Sequence, residues 1–189
     1  MITALDLPGV LLIEPKRHGD ARGFFSETYN ARALAEAGFD RPLVQDNHSK
    51  SARRGTVRGL HFQRAPHGQD KLLRVTRGAV LDVVVDIRAG SPTYGRHVAV
   101  ELSEDNWRQL LVPIGFAHGF MTLTDEAEVL YKVSAYYAPD AEGGLRWDDP
   151  AVAIDWPIPA AEVTVNARDA AWPPFAEQGE IFRWRGPTA

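Results

Sequence analysis

The chain has 189 residues, 44% hydrophobic and 24% charged, with a formal net charge of −4, which suits one domain with a substantial core. The acidic balance excludes a general nucleic-acid binder, because neutralising phosphates needs a basic surface. No cysteine occurs, which excludes disulfides and thiolate chemistry.

Residues 1–14 lack a basic segment followed by a long apolar run, so they do not read as a signal peptide. No stretch is long enough to span a bilayer, and a cytoplasmic protein is expected. Residues 10–14 read as a strand, His18-Gly19-Asp20-Ala21-Arg22-Gly23 as a turn cluster, and 24–29 as another strand. Asn30 is placed to cap a short helix over 31–37, closed by Gly38. Strands are then expected over 71–75 and 79–88, joined at Arg77-Gly78, and over 98–102, 109–112, 119–122 and 129–137. A helical turn around 166–171 is stopped by Pro173-Pro174. Many short strands separated by Gly, Pro, Asp and Asn predict an all-β sandwich or barrel, a single domain over residues 1–189 with a few short peripheral helices.

The segment Arg58-Gly59-Leu60-His61-Phe62-Gln63 places an imidazole in an apolar, β-prone run. On a regular strand Arg58, Leu60 and Phe62 point one way, and Gly59, His61 and Gln63 the other. His61 can be a proton carrier, a metal ligand or a satisfied core residue. Metal sites in β-barrels commonly use histidines at i and i+2, and here the second position is Gln63, a poor ligand for a transition metal. No metal is therefore expected.

His118, in Pro113-Ile114-Gly115-Phe116-Ala117-His118-Gly119-Phe120, is expected at the start of the second strand of a tight strand–turn–strand. A core histidine bonded to backbone explains it equally well. Arg22 and Glu27, and the run Gln45-Asp46-Asn47, fit solvated loops; Arg22 also fits a phosphate fork, since guanidinium recognises phosphate bidentately. Tyr131 and Tyr137 are six apart, which on a regular strand puts both on one side. Asp169 reads either as a helix-start acid or as a carboxylate orienting a histidine.

Taken together, these blocks resemble the dTDP-4-dehydrorhamnose 3,5-epimerase family of the cupin superfamily. The resemblance runs from Asp20-Ala21-Arg22-Gly23-Phe24-Phe25-Ser26-Glu27 through Gln45-Asp46-Asn47-His48-Ser49, the Arg58–Gln63 block, Val84-Val85-Asp86-Ile87-Arg88 and Ser91-Pro92-Thr93. It continues through Gly115-Phe116-Ala117-His118-Gly119-Phe120 and Trp147-Asp148-Asp149-Pro150 to the end of residues 166–175. Several long motifs in order are far more specific than any one of them.

The resemblance implies a cupin-type jelly-roll β-sandwich, a homodimer, and a dTDP-4-keto-6-deoxy-sugar substrate, with no metal or cofactor. It implies His61 as the proton-abstracting base with Asp169 as its partner, Tyr131 as the acid on the opposite face, and Lys71 near the C4 carbonyl oxygen. Arg22, Glu27, Gln45, Asp46, Asn47, Arg58, His118, Glu142 and Arg168 would contact the nucleotide-sugar, and Tyr137 would stack on thymine. Arg168 stands where many relatives have lysine, preserving charge but changing reach, and residues 51–56 carry one extra residue. A 3-only epimerase and a non-catalytic nucleotide-sugar-binding cupin remain the alternatives.

The chemistry fits those residue types. A C4 ketone acidifies the protons on C3 and C5, and the enolate left by abstraction needs a cation beside its oxygen. Inversion requires reprotonation from the other face. A His–Asp pair fixes the imidazole tautomer and favours its protonated form, and tyrosine, titrating near ~10, is a donor at neutral pH.

Overall fold

The computed structural model describes residues 1–186. Two antiparallel sheets face one another. The first runs in the order β1 (Ile2–Ala4), β2 (Leu11–Ile13), β11 (Gln109–Val112), β7 (Lys71–Arg77), β13 (Ala127–Val133) and β5 (Gln45–Ser51). The second runs β10 (His97–Ser103), β8 (Ala79–Asp86), β12 (Phe116–Thr122), β6 (Val57–Gln63) and β14 (Glu142–Gly144). A hairpin of β3 (His18–Asp20) and β4 (Gly23–Phe25) and a parallel pair of β15 (Phe182–Arg183) with β9 (Arg88–Ala89) stand outside both.

Strand alternation fills the space between the sheets. Leu73 and Val75 of β7, Val129 of β13 and Leu110 and Val112 of β11 meet Val80 and Val84 of β8, Phe116 and Phe120 of β12 and Leu102 of β10. The other face of β8 is buried too, because Val83 and Val85 pack with Leu60, Phe62, Leu145 and Val152. Burial on both sides explains its near-continuous apolar run. The outer face of the first sheet is partly covered by α1 (Ala31–Glu36), whose Leu34 packs with Phe39, Leu72 and Leu111. Asn30 caps that helix as expected, accepting from the N–H groups of Arg32 and Ala33, and Gly38 leaves it at φ +93°. Among the described residues no helix is long and apolar enough to cross a membrane.

Three expectations need correcting. Of residues 24–29 only Phe24 and Phe25 are strand, as part of Gly23–Phe25, hairpinned on His18–Asp20 within the expected turn cluster; both phenylalanines are exposed, so no core extends the pairing. The strand expected over 129–137 is Ala127–Val133, since Ser134 turns away to bind Asp70, its Oγ donating to the carboxylate at 2.7 Å. The polar run Gln45-Asp46-Asn47 is not loop but the start of edge strand β5, paired along its length with β13.

Candidate active site

A bulge sets up the site. On the β6–β12 ladder His61 lies opposite His118 and Arg58 opposite Phe120, so Gly59 and Leu60 together face the single residue Gly119. The extra residue breaks the expected alternation, and Arg58 and His61 line one cavity of about 270 Å³. Glycine is required on both sides. Gly59 has φ +123°, and a Cβ there would lie 2.6 Å from Gly119 Cα, while one on Gly119 would lie 2.6 Å from the Arg58 carbonyl oxygen.

His61 Nε2 lies 2.8 Å from Asp169 Oδ1, and the other carboxylate oxygen accepts the Gly59 N–H at 3.1 Å. Asp169 is fully buried near the start of α2 (Ala167–Ala170), where its own N–H is capped by Asn166 at 2.7 Å. Burial pushes its carboxyl up, but the hydrogen bonds from His61 and Gly59 and the charges of His61 and Arg168 prevail, leaving it below the ordinary carboxylate range. The carboxylate is thus ionised and aimed at the imidazole.

Tyr131 and Lys71 come from the opposite wall, on the neighbouring strands β13 and β7, where Tyr131 pairs with Leu73 and Val133 with Lys71. Burial raises the Tyr131 phenol above its usual value, with the Arg58 charge opposing. Burial also pushes the Lys71 ammonium down to about 8, opposed by the charges of Asp82 and Glu142. One wall therefore presents a histidine from β6 with its carboxylate from α2, and the other a protonated phenol and a cation.

His118 is buried, its Nε2 3.0 Å from both oxygens of Asp82. At the cavity rim Glu142 Oε2 accepts from the Tyr137 hydroxyl at 3.1 Å and from Arg168 at 2.8 Å, which links the strand end to α2. Arg58 donates to Ser51 Oγ and the Lys50 carbonyl, tying edge strand β5 across the mouth to β6. Gln45 and Asn47 line the adjoining part of the cavity beside Tyr137. The Gln63 amide is taken up by backbone: its nitrogen donates to the His67 and Tyr136 carbonyls and its oxygen accepts the Ala138 N–H.

Residues 4–177 match the family model of dTDP-4-dehydrorhamnose 3,5-epimerase. The chain belongs to that family. It is 49% identical over 181 residues to the dTDP-4-dehydrorhamnose 3,5-epimerase of Sinorhizobium fredii, covering 96% of this chain and 92% of that protein. The structure of dTDP-6-deoxy-D-glucose-3,5-epimerase from Legionella pneumophila in complex with dTDP-4-keto-L-rhamnose superposes with a TM-score of 0.93 at 41% identity, covering 98% and 99% of the two chains. That of the Bacillus anthracis dTDP-4-dehydrorhamnose 3,5-epimerase with TDP and PPi bound gives 0.89 at 45%, covering 92% and 98%. The sandwich of this epimerase is accordingly the expected cupin fold.

Not every expected contact of the epimerase reaches the cavity within one chain. His61, Lys71, Arg58, His118, Tyr131, Tyr137, Glu142, Arg168 and Asp169 line it, with Gln45 and Asn47 adjoining. Asp46 points to the other face of the sheet and pairs with Lys132 at 2.7 Å. Glu27 accepts from the Asn30 amide at the start of α1, and Arg22 stands on the exposed hairpin turn, bound to Asp20. Tyr131 and Tyr137 share the cavity, but not by strand parity, because Tyr137 lies beyond the end of β13.

Ser49, Asn166 and Asp82 were not singled out in the sequence. Ser49 lies two positions from Asn47 on a strand concealed by its polarity. Asp82 had a visible signal, an acid among Val80, Leu81, Val83 and Val84, at a position whose neighbours two residues away face the core.

Proposed function

We propose that residues 1–189 act as one catalytic unit that inverts C3 and C5 of dTDP-4-dehydro-6-deoxy-D-glucose to give dTDP-4-dehydro-L-rhamnose. The observation that carries this reading is the opposition of His61–Asp169 on one wall to Tyr131 on the other, with Lys71 beside Tyr131. His61 removes the proton next to the C4 ketone and Asp169 stabilises the imidazolium that forms. Lys71 neutralises the enolate oxygen. Tyr131 then protonates the carbon from the opposite face, and the same groups serve the second centre. The ligands named for the Legionella and Bacillus structures support this substrate class.

The enzyme acts in the cytoplasm as a homodimer. The exposed Phe24 and Phe25 on the β3–β4 hairpin support a partner surface, and a second copy would give Arg22 and Glu27, which lie outside the cavity of their own chain, a nucleotide-sugar to contact. Incubation with the substrate in deuterated water, followed by NMR of the sugar, tests the reaction. Deuterium at both C3 and C5 of an inverted product is expected. Label at C3 alone would make it a 3-only epimerase, and tight dTDP binding without exchange would leave a binding protein.

A further inference from the structure

We infer that Gln63 is a positioning residue for nucleotide binding: it fixes the backbone on both sides of Tyr137 and holds that ring in place at the cavity rim before a ligand arrives. This rests on the reading of Tyr137 as the platform on which thymine stacks. Residues 134–138 follow β13 and belong to no strand or helix, so their backbone has no ladder to satisfy it. Side chains bind this segment instead. Ser134 Oγ donates to Asp70 at 2.7 Å, the Gln69 amide donates to the Ala135 carbonyl at 2.8 Å, and Gln45 Oε1 accepts the Tyr137 N–H at 3.3 Å. Gln63 takes the two groups that flank the tyrosine, donating to the Tyr136 carbonyl at 3.3 Å and accepting the Ala138 N–H at 2.8 Å. Its nitrogen also donates to the His67 carbonyl at 2.7 Å, so both donors and the oxygen of one buried amide are in use.

The register of the sheet extends this hold to the phenol. Gln63 pairs with Glu142 across β6 and β14, and Glu142 Oε2 accepts the Tyr137 hydroxyl at 3.1 Å. One cross-strand pair therefore holds Tyr137 at both ends, the main chain through Gln63 and the ring through Glu142. His61 lies two positions before Gln63 on β6, so the proton-abstracting base and the anchor of the nucleotide platform share one strand. Tyr137 is half exposed, and an exposed ring on an irregular segment would lose conformational freedom when a base stacks on it. Fixing the segment beforehand removes that loss from binding. Both polar atoms of the Gln63 side chain are committed to backbone, so its effect reaches the nucleotide through Tyr137 and falls on binding rather than on proton transfer.

The test is a double-mutant cycle read by calorimetry with thymidine and with dTDP. Gln63→Met keeps the length of the side chain and removes the amide. It should weaken both ligands by about five- to thirtyfold, matching the entropy of ordering about one backbone residue. In the Tyr137→Ala background, where there is no ring left to position, the same change should add less than about twofold. In turnover the loss should appear chiefly in KM, with kcat falling much less. The Ala138 amide gives a second readout: its hydrogen exchange, followed by NMR in the ligand-free protein, should be slow in the original and fast in Gln63→Met.

No weakening by Gln63→Met would overturn the inference, and so would the same weakening with and without the tyrosine, since the amide would then act on the fold and not through Tyr137. An Ala138 amide that exchanges at the open-chain rate in the ligand-free original protein would also overturn it, which decides the matter even if Gln63→Met does not fold. If Tyr137→Ala alone leaves thymidine affinity unchanged, the stacking reading fails and this inference with it, a result told apart from the others because Gln63 is intact in that variant.

Discussion

Asp169 binds His61 Nε2 through one oxygen at 2.8 Å and the Gly59 N–H through the other at 3.1 Å, across more than a hundred positions of sequence. One carboxylate thus fixes the orientation of the imidazole and the backbone of the bulge that carries it. It is held in turn by the Asn166 cap of a four-residue helix. Such a helix has little stability of its own; its value here is that it delivers one acid to one histidine.

That pairing predicts the behaviour of its members. His61→Asn should lower turnover about 10²–10⁴-fold while dTDP binding persists; near-normal proton exchange in this variant would rule His61 out as the base. Asp169→Asn should cost a similar order, because the ring loses its tautomer and its counter-charge.

The same carboxylate sets an acid limb on stability. Its pKa is depressed on folding, so its contribution is complete above the unfolded value of about 3.9 and is lost as pH falls through the lower folded value. Unfolding in denaturant from pH 7 down to pH 2 should therefore show a shallower acid loss for Asp169→Asn than for the original. Identical slopes would mean that Asp169 gains nothing from its partners.

Tyr131→Phe separates acid from base. The phenol stays protonated well beyond neutral pH because burial raises it, so removing the hydroxyl deletes the donor and keeps the ring packing. Deuterium should still enter the sugar through His61, with net inversion slowed by about 10²-fold or more. Doubly inverted product formed at the original rate would exclude Tyr131.

Much of this was legible in the sequence, and the gaps have physical causes. The β-branched run of β8 marked that strand because it fills the core on both of its faces. The polar strand β5 was hidden, since Gln45, Asn47 and Ser49 face a polar cavity and apolar alternation has no work there. The bulge was hidden for a different reason. Gly59 and Gly119 are visible as glycines, but the slip between them exists only once the two strands are paired. Arg22 shows a third kind of gap: its residue type suits a phosphate, yet one chain alone leaves it in solvent.

Gly59→Ala tests the bulge. The added methyl meets the Gly119 backbone at 2.6 Å and the residue must hold φ +123°, a combination expected to cost about 2–4 kcal/mol. The melting temperature should fall by several degrees, and turnover should fall in the fraction that remains folded, because Arg58 and His61 are both aimed by this slip. An unchanged melting temperature would show that the strand pairing can relax without loss.

Substrate grip divides between base and diphosphate. Tyr137 is half exposed at the cavity rim, with its hydroxyl on Glu142. Base stacking contributes about 1–3 kcal/mol, so Tyr137→Ala should weaken dTDP and thymidine alike by one to two orders of magnitude, about 1.4 kcal/mol being tenfold. Arg22 is different. Its guanidinium is solvent-exposed and, among the described residues, bound only to Asp20 within its own hairpin, a pair that adds little to stability. If the hairpin serves the cavity of a second copy, Arg22→Ala should weaken dTDP and spare thymidine, which lacks the diphosphate. The loss should also disappear on dilution to monomer, followed by sedimentation alongside calorimetry. Equal weakening of both ligands would make Arg22 structural, and no weakening of either would remove it from the diphosphate site altogether.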